Sequence, residues 1–198
     1  MSWAFDDLPH HLKSCFLYLA AMRESTPVDA QRLVRLWVAE GFVRPRRGST
    51  MEEVGQGYLK ELISRCMVQL VDKDDFGAVQ TVVVHDRLQA FAQDEAQEAS
   101  FIESHDSTDV LAPATVRRLA VLNSTTDRYV QLSNALPKLR SIICDFVEVR
   151  RVRSSSNIIH TGDLGFLHAS KFLRVIDIHG LELKKLPNEI GSMIHFRY

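Results

Sequence analysis

Apolar positions in the first hundred residues follow helical periods, interrupted once by an alternating stretch. Leu12, Cys15, Phe16 and Leu19 fall at i, i+3, i+4 and i+7, one face of a helix. Asp6-Asp7-Leu8-Pro9 opens it, with an Asp expected as cap and Pro9 in the first turn, where a missing N–H costs nothing. Ser25-Thr26-Pro27 breaks it, and Leu33, Leu36 and Trp37 mark a second helix that stops at Gly41. After the polar loop Arg44-Pro45-Arg46-Arg47-Gly48, Thr50-Met51-Glu52-Glu53 reads as a capping box. The helix it opens is expected to carry Val54, Tyr58, Leu62 and Cys66 on one face, at steps of four. Residues 67–71 and 79–84 flank the turn Lys73-Asp74-Asp75-Phe76-Gly77, which predicts a β-hairpin. Asp86 is placed as the cap of a last helix with Leu88, Phe91 and Ala92 inside. The sum is a winged-helix-like unit over residues 1–99, about 90 ordered residues with a modest core of its own.

Residues 100–112 are polar around Ser104-His105-Asp106-Ser107-Thr108-Asp109 and read as a linker. Beyond it the apolar pattern repeats. Val116-x-x-Leu119-x-Val121, Leu139-x-x-Ile142-x-Cys144 and Leu173-x-x-Ile176-x-Ile178 share one skeleton, and Phe196 opens what would be a fourth. The spacings of 23, 34 and 23 residues equal one repeat length with a single insertion of 11, expected around Arg150-Arg151-Val152-Arg153-Ser154-Ser155-Ser156. This is the skeleton of a leucine-rich repeat, whose short strands bury their apolar side chains by stacking. Residues 113–198 therefore predict the start of an α/β solenoid, and the whole chain an α+β fold. With the fourth unit lacking its closing residues, this half is expected to be marginal alone.

Composition narrows the function. Of 198 residues, 45% are hydrophobic and 25% charged, which describes an ordered globular chain. Lys plus Arg number 24 against 25 Asp plus Glu, a net charge of −1 without the basic excess of a nucleic-acid binder. Cys15, Cys66 and Cys144 are odd in number and widely spaced, which argues against a disulfide framework or zinc finger and for a reducing compartment. No apolar run reaches the roughly 18 residues needed to cross a bilayer, and residues 1–7 do not form a signal peptide.

No constellation for catalysis stands out. A His85-Asp86 metal phosphohydrolase dyad would need a further His and Asp converging on the metal, and His10, His11 and Asp94 are poorly placed for that. No enzyme activity, catalytic residue or metal site is expected. Trp37 lies at core spacing. The helix over residues 51–66 would be the one to read a DNA groove, but Glu52, Glu53 and Glu61 repel phosphates. A DNA-binding or protein-interaction winged helix remains the alternative reading. The Arg150-Arg151-x-Arg153 run is either a solvated loop or a site for intramolecular docking on acidic surface.

Several strings taken together resemble one family. They are Leu8-Pro9-His10-His11-Leu12-Lys13-Ser14-Cys15-Phe16-Leu17-Tyr18-Leu19, Arg32-Leu33-Val34-Arg35-Leu36-Trp37-Val38-Ala39-Glu40-Gly41-Phe42, Tyr58-Leu59-Lys60-Glu61-Leu62-Ile63-Ser64-Arg65 and Val84-His85-Asp86. Leu173-Arg174-Val175-Ile176-Asp177-Ile178, Leu186-Pro187-Asn188-Glu189-Ile190-Gly191 and His195-Phe196-Arg197-Tyr198 follow in order. In this order they resemble plant nucleotide-binding leucine-rich-repeat immune receptors of the coiled-coil class, from the winged helix of the NB-ARC module into the first repeats. The family's phosphate-binding Gly-x-x-x-x-Gly-Lys-Ser/Thr loop does not occur here, so the chain looks like a C-terminal slice of the nucleotide switch.

The resemblance implies roles for two residues. His85 would donate to a phosphate of ADP in a full-length receptor, and Asp86 would cap the next helix and orient His85. Without the resemblance, His85 would read as a histidine packed at the hairpin's exit. Val84 replaces the family's Met, a shorter and stiffer apolar side chain. ADP or ATP would bind the full receptor rather than this chain alone. The implied partners are the absent nucleotide-binding domain and coiled-coil region, and a pathogen effector or a guarded host protein. The implied location is the cytoplasm, with no direct nucleic-acid contact and no membrane association indicated.

Overall fold

The computed structural model describes residues 5–106, 109–122, 131–132, 135–145, 169–179 and 188–198. The chain divides into two compact units, Met1–Ala99 and Ser100–Tyr198.

In the first unit, α1 (His10–Leu17) begins at Pro9, which is itself the N-cap. The Pro9 carbonyl accepts from Leu12 N at 2.8 Å and Lys13 N at 3.1 Å. The expected Asp cap is not used. A residue before proline is pushed out of the helical region, so the helix cannot run back through Leu8 to the aspartates. Leu12, Cys15, Phe16 and Leu17 are buried, and a 3-10 turn (Tyr18–Ala21) continues the same buried face through Leu19.

Strand β1 (Val28–Asp29) is too short to show in a periodicity. It leads directly into α2 (Ala30–Glu40), whose cap Asp29 accepts from Arg32 N at 2.6 Å. Gly41 ends α2 at φ 83°, a left-handed conformation open to glycine at little cost. Helix α3 (Met51–Ser64) starts with the expected capping box, both Thr50–Glu53 bonds being present. Its buried face is Gly55, Leu59 and Leu62 rather than the predicted row of four, which drifts around the helix because a step of four exceeds 3.6 residues per turn. Cys66 lies beyond the helix and is exposed.

The hairpin β2 (Gln69–Lys73) and β3 (Val79–Val83) pairs antiparallel, and β1 joins β3 with Val28 opposite Val82, giving the order β1-β3-β2. Asp74 holds the turn by accepting from Phe76 N and Ala78 N. Helix α4 (Asp86–Glu98) packs through Gln89, Ala92 and Ala96, with Leu88 and Phe91 half-buried. Trp37, Tyr18, Phe16 and Leu12 are the largest fully buried side chains of this unit.

The second unit is a ladder of parallel strands. The stretch expected as a linker contributes β4 (Glu103–His105) and β5 (Asp109–Val110). Strand β4 pairs with β6 (Arg118–Val121), then come β8 (Ser141–Asp145) and β9 (Val175–His179), all parallel, while β5 pairs with β7 (Gln131–Leu132). All five residues of β4 and β5 fall within the stretch read as a linker. A strand whose neighbour supplies the buried rung needs little hydrophobic pattern of its own.

The register joins the three sequence copies position by position. Leu119 faces Ile142, which faces Ile176; Val121 faces Cys144, which faces Ile178. Each copy is entered by the same turn: Val116 N, Leu139 N, Leu173 N and Phe196 N bond the carbonyls of Pro113, Leu136, Ser170 and Met193. The fourth rung is also present, since Arg197 N and Tyr198 N donate to Arg174 O. Val110, Leu119, Leu136, Leu139, Ile142 and Leu173 form the core of this unit. The Arg150 to Ser156 run lies outside the described residues.

Candidate functional site

The chain leaves β3 through Val84, which is buried, and turns at His85, which is exposed. His85 has extended backbone (φ −67°, ψ 141°) and is the N-cap of α4. Its carbonyl accepts from Leu88 N at 2.8 Å and Gln89 N at 2.9 Å, the first helical bonds. Its Nδ1 accepts from Arg87 N at 3.4 Å. A neutral imidazole that accepts at Nδ1 carries its proton on Nε2. The cap therefore leaves one N–H donor on an exposed ring.

The capping role expected of Asp86 belongs to His85. Asp86 already has its place inside the first turn, where its carboxylate complements the helix dipole instead. The expected bond from Asp86 to the His85 ring is replaced by another. Among the described residues, the Asp86 carboxylate accepts from the Ser25 hydroxyl, 61 positions away. Ser25 sits at φ 48°, a conformation rarely adopted by a residue with a side chain.

Gln89 was not singled out from sequence, yet it holds this turn. Fully buried on α4, its Nε2 donates to Leu19 O at 2.7 Å and Met22 O at 2.9 Å. A lone amide on an otherwise apolar face was the available signal. The connection between α1 and α2 thus grips the His85 turn on both sides: Val28 on β3 before it, Ser25 and Gln89's carbonyl partners after it.

A separate cavity of 570 Å³ opens between α2, α3 and the hairpin, lined by Gln31, Val34, Arg35, Glu52, Gln56 and Lys60 among others; none of its lining residues belongs to the His85 turn. Among the described residues no three His, Cys, Asp or Glu side chains converge as a metal site would require. The three cysteines are free; burial pushes the Cys15 thiol well up, and burial with nearby Asp177 and Asp145 pushes Cys144 up to about 12, so neither is a ready nucleophile. No helix among the described residues is long and apolar enough to cross a membrane.

The sequence of residues 23–92 matches one family model, the disease resistance protein winged helix domain. Residues 23–92 belong to the disease resistance winged helix family. The likeness of sequence extends further. The chain is 36% identical over 199 residues to disease resistance protein At1g59620 of Arabidopsis thaliana, covering 98% of this chain and 21% of that protein. To RXW24L of the same plant it is 33% identical over 208 residues, 100% of this chain and 22% of the relative. To the late blight resistance protein homolog R1B-16 of Solanum demissum it is 31% identical over 187 residues, 92% of this chain and 14% of the relative. The chain spans about a fifth of the length of the first two relatives. The match runs to residue 92, within α4, so it includes the whole His85 turn.

Proposed function

We propose that this chain is part of a nucleotide-switched plant immune receptor, in which the disease resistance winged helix closes on ADP through Val84-His85-Asp86. The observation that carries the reading is the exposed His85 ring with Nδ1 already engaged by Arg87 N, which leaves Nε2–H to donate outward. One such donor fits a phosphate oxygen, and a bond to an anionic acceptor is about twice as strong as a neutral one. Bound ADP would supply the diphosphate charge; the remaining contacts to it would come from the nucleotide-binding part of the receptor. Val84 anchors the turn in the core, Gln89 and Ser25 fix its direction, and Asp86 stabilises the helix start.

Because His85 can reach the nucleotide in the closed state alone, closure and ADP binding support each other reciprocally. The second unit is proposed as the first repeats of a leucine-rich-repeat solenoid, supported by the four identical entry turns, acting in sensing and in restraint of the switch. Its partners would be the nucleotide-binding and coiled-coil parts of the receptor and an effector or guarded host protein. The proposed location is cytoplasmic and the proposed role non-enzymatic, with no direct contact to nucleic acid.

The test is His85→Ala in a receptor containing both this chain and a nucleotide-binding domain. Loss of one charge-assisted hydrogen bond is expected to speed ADP release about tenfold. ADP retained through purification at the wild-type level, with the fold intact by circular dichroism, overturns the reading.

A further inference from the structure

The backbone ladder of the second unit places four arginines at one register position. Arg140 N donates to Arg117 O at 2.7 Å, Arg174 N to Arg140 O at 2.6 Å and Arg197 N to Arg174 O at 2.8 Å. Each arginine is the residue after the first apolar position of its repeat, so the column is produced by the stacking itself. Adjacent strands lie about 4.8 Å apart, which sets four guanidinium-bearing residues along roughly 14 Å. Arg117 and Arg197 are exposed, and Arg140 and Arg174 half-buried. Among the described residues, Arg117, Arg174 and Arg197 have no carboxylate partner.

We propose that Arg117, Arg140, Arg174 and Arg197 form a docking strip for an extended acidic segment of a partner polypeptide. Like charges stacked at strand spacing repel one another, a cost that a chain of net charge −1 has no need of for solubility. A guanidinium fork takes a carboxylate through two parallel bonds, and an extended peptide presents side chains on one face every 6.6–6.8 Å, about three across the strip. Asp145 and Asp177, further along two of the same strands, are buried. A column of about 14 Å is covered by a few residues of extended peptide, and a chain of net charge −1 lacks the basic excess that a nucleic-acid backbone calls for. The proposal concerns this unit's partner and is independent of the nucleotide reading.

The probe is a fluorescently labelled peptide of ten glutamates, titrated with the whole chain at low salt and followed by anisotropy. Saturable binding is expected, lost at about 0.5 M salt as screening shortens the range of the charges. Arg117→Gln, Arg174→Gln and Arg197→Gln combined should weaken it about thirtyfold, near threefold per arginine. The corresponding triple Lys variant keeps the charge without the fork and should fall between, which covers a Gln variant that fails to fold. Arg44→Gln, Arg46→Gln and Arg47→Gln combined change the net charge equally and should leave binding unaltered. Equal weakening by the two Gln triples, or none by the strip variant, overturns the proposal. Tighter binding of a labelled single-stranded DNA of ten nucleotides than of the peptide overturns the choice of partner.

Discussion

Gly55 on α3 lies directly against Val34 on α2: a Cβ at Gly55 would stand 2.7 Å from Val34 Cγ1. Val34 is buried and β-branched, so its methyl cannot swing aside. Gly55→Ala would gain about 1 kcal/mol of helix propensity and lose about 1–3 kcal/mol to overpacking. A net loss of about 1 kcal/mol is expected in urea unfolding. In a Val34→Ala background the clash is gone, and the same substitution should stabilise; an unchanged sign there would refute the contact.

Gln89 stands in place of a core hydrophobe because the 3-10 turn after α1 presents carbonyls to it. Gln89→Leu keeps the volume and strips the buried Met22 carbonyl of its side-chain donor. The expected cost is about 2 kcal/mol, the usual penalty for an orphaned buried acceptor. Amide exchange in α4 should accelerate along with the global loss.

The ends of α2 and α3 use the same pair of bonds with different residues. Phe42 N bonds Trp37 O and Gly41 N bonds Val38 O; Met67 N bonds Leu62 O and Cys66 N bonds Ile63 O. The left-handed position is glycine in one and Cys66, at φ 58°, in the other. Cys66→Gly is expected to raise stability by about 1 kcal/mol, whereas Cys66→Ala leaves the strain in place. A melting temperature lower in the Gly than in the Ala variant would contradict this.

His11 packs against Tyr58 with ring centroids 4.5 Å apart and the ring planes tilted by 41°. Burial pulls its pKa below the ordinary 6.5; Glu61 opposes the shift, and Arg44 and His10 reinforce it. The unfolded chain then binds the proton more readily than the folded one. His11 contributes stability that is held above about pH 6.5 and lost as pH falls through the lower folded value. Melting temperatures between pH 7.5 and 5 should decline, and His11→Phe should flatten that decline. A slope unaltered by the substitution would assign the acid sensitivity elsewhere.

What could be read from the chain was what lies within a few residues of itself. The Thr50–Glu53 capping box, the Gly41 stop and the Asp74 turn each close through bonds spanning five residues or fewer, so the residue types in order dictate them. The repeat skeleton was equally legible, and the strand register follows it copy for copy. The cap of α4 was misplaced by one residue because both His85 and Asp86 can accept from a helix N–H, and local order does not say which has extended backbone.

The tertiary structure decided the rest. Asp86 answers to Ser25 across 61 residues and Gln89 to Leu19 across 70, so no local pattern marks those pairs. Residues 103–105 become a strand because β6 offers them unpaired backbone, not because their own side chains demand it. The arginine column exists in no single repeat; it arises when parallel strands stack one register position above another, and charges far apart along the chain are brought within reach of one ligand.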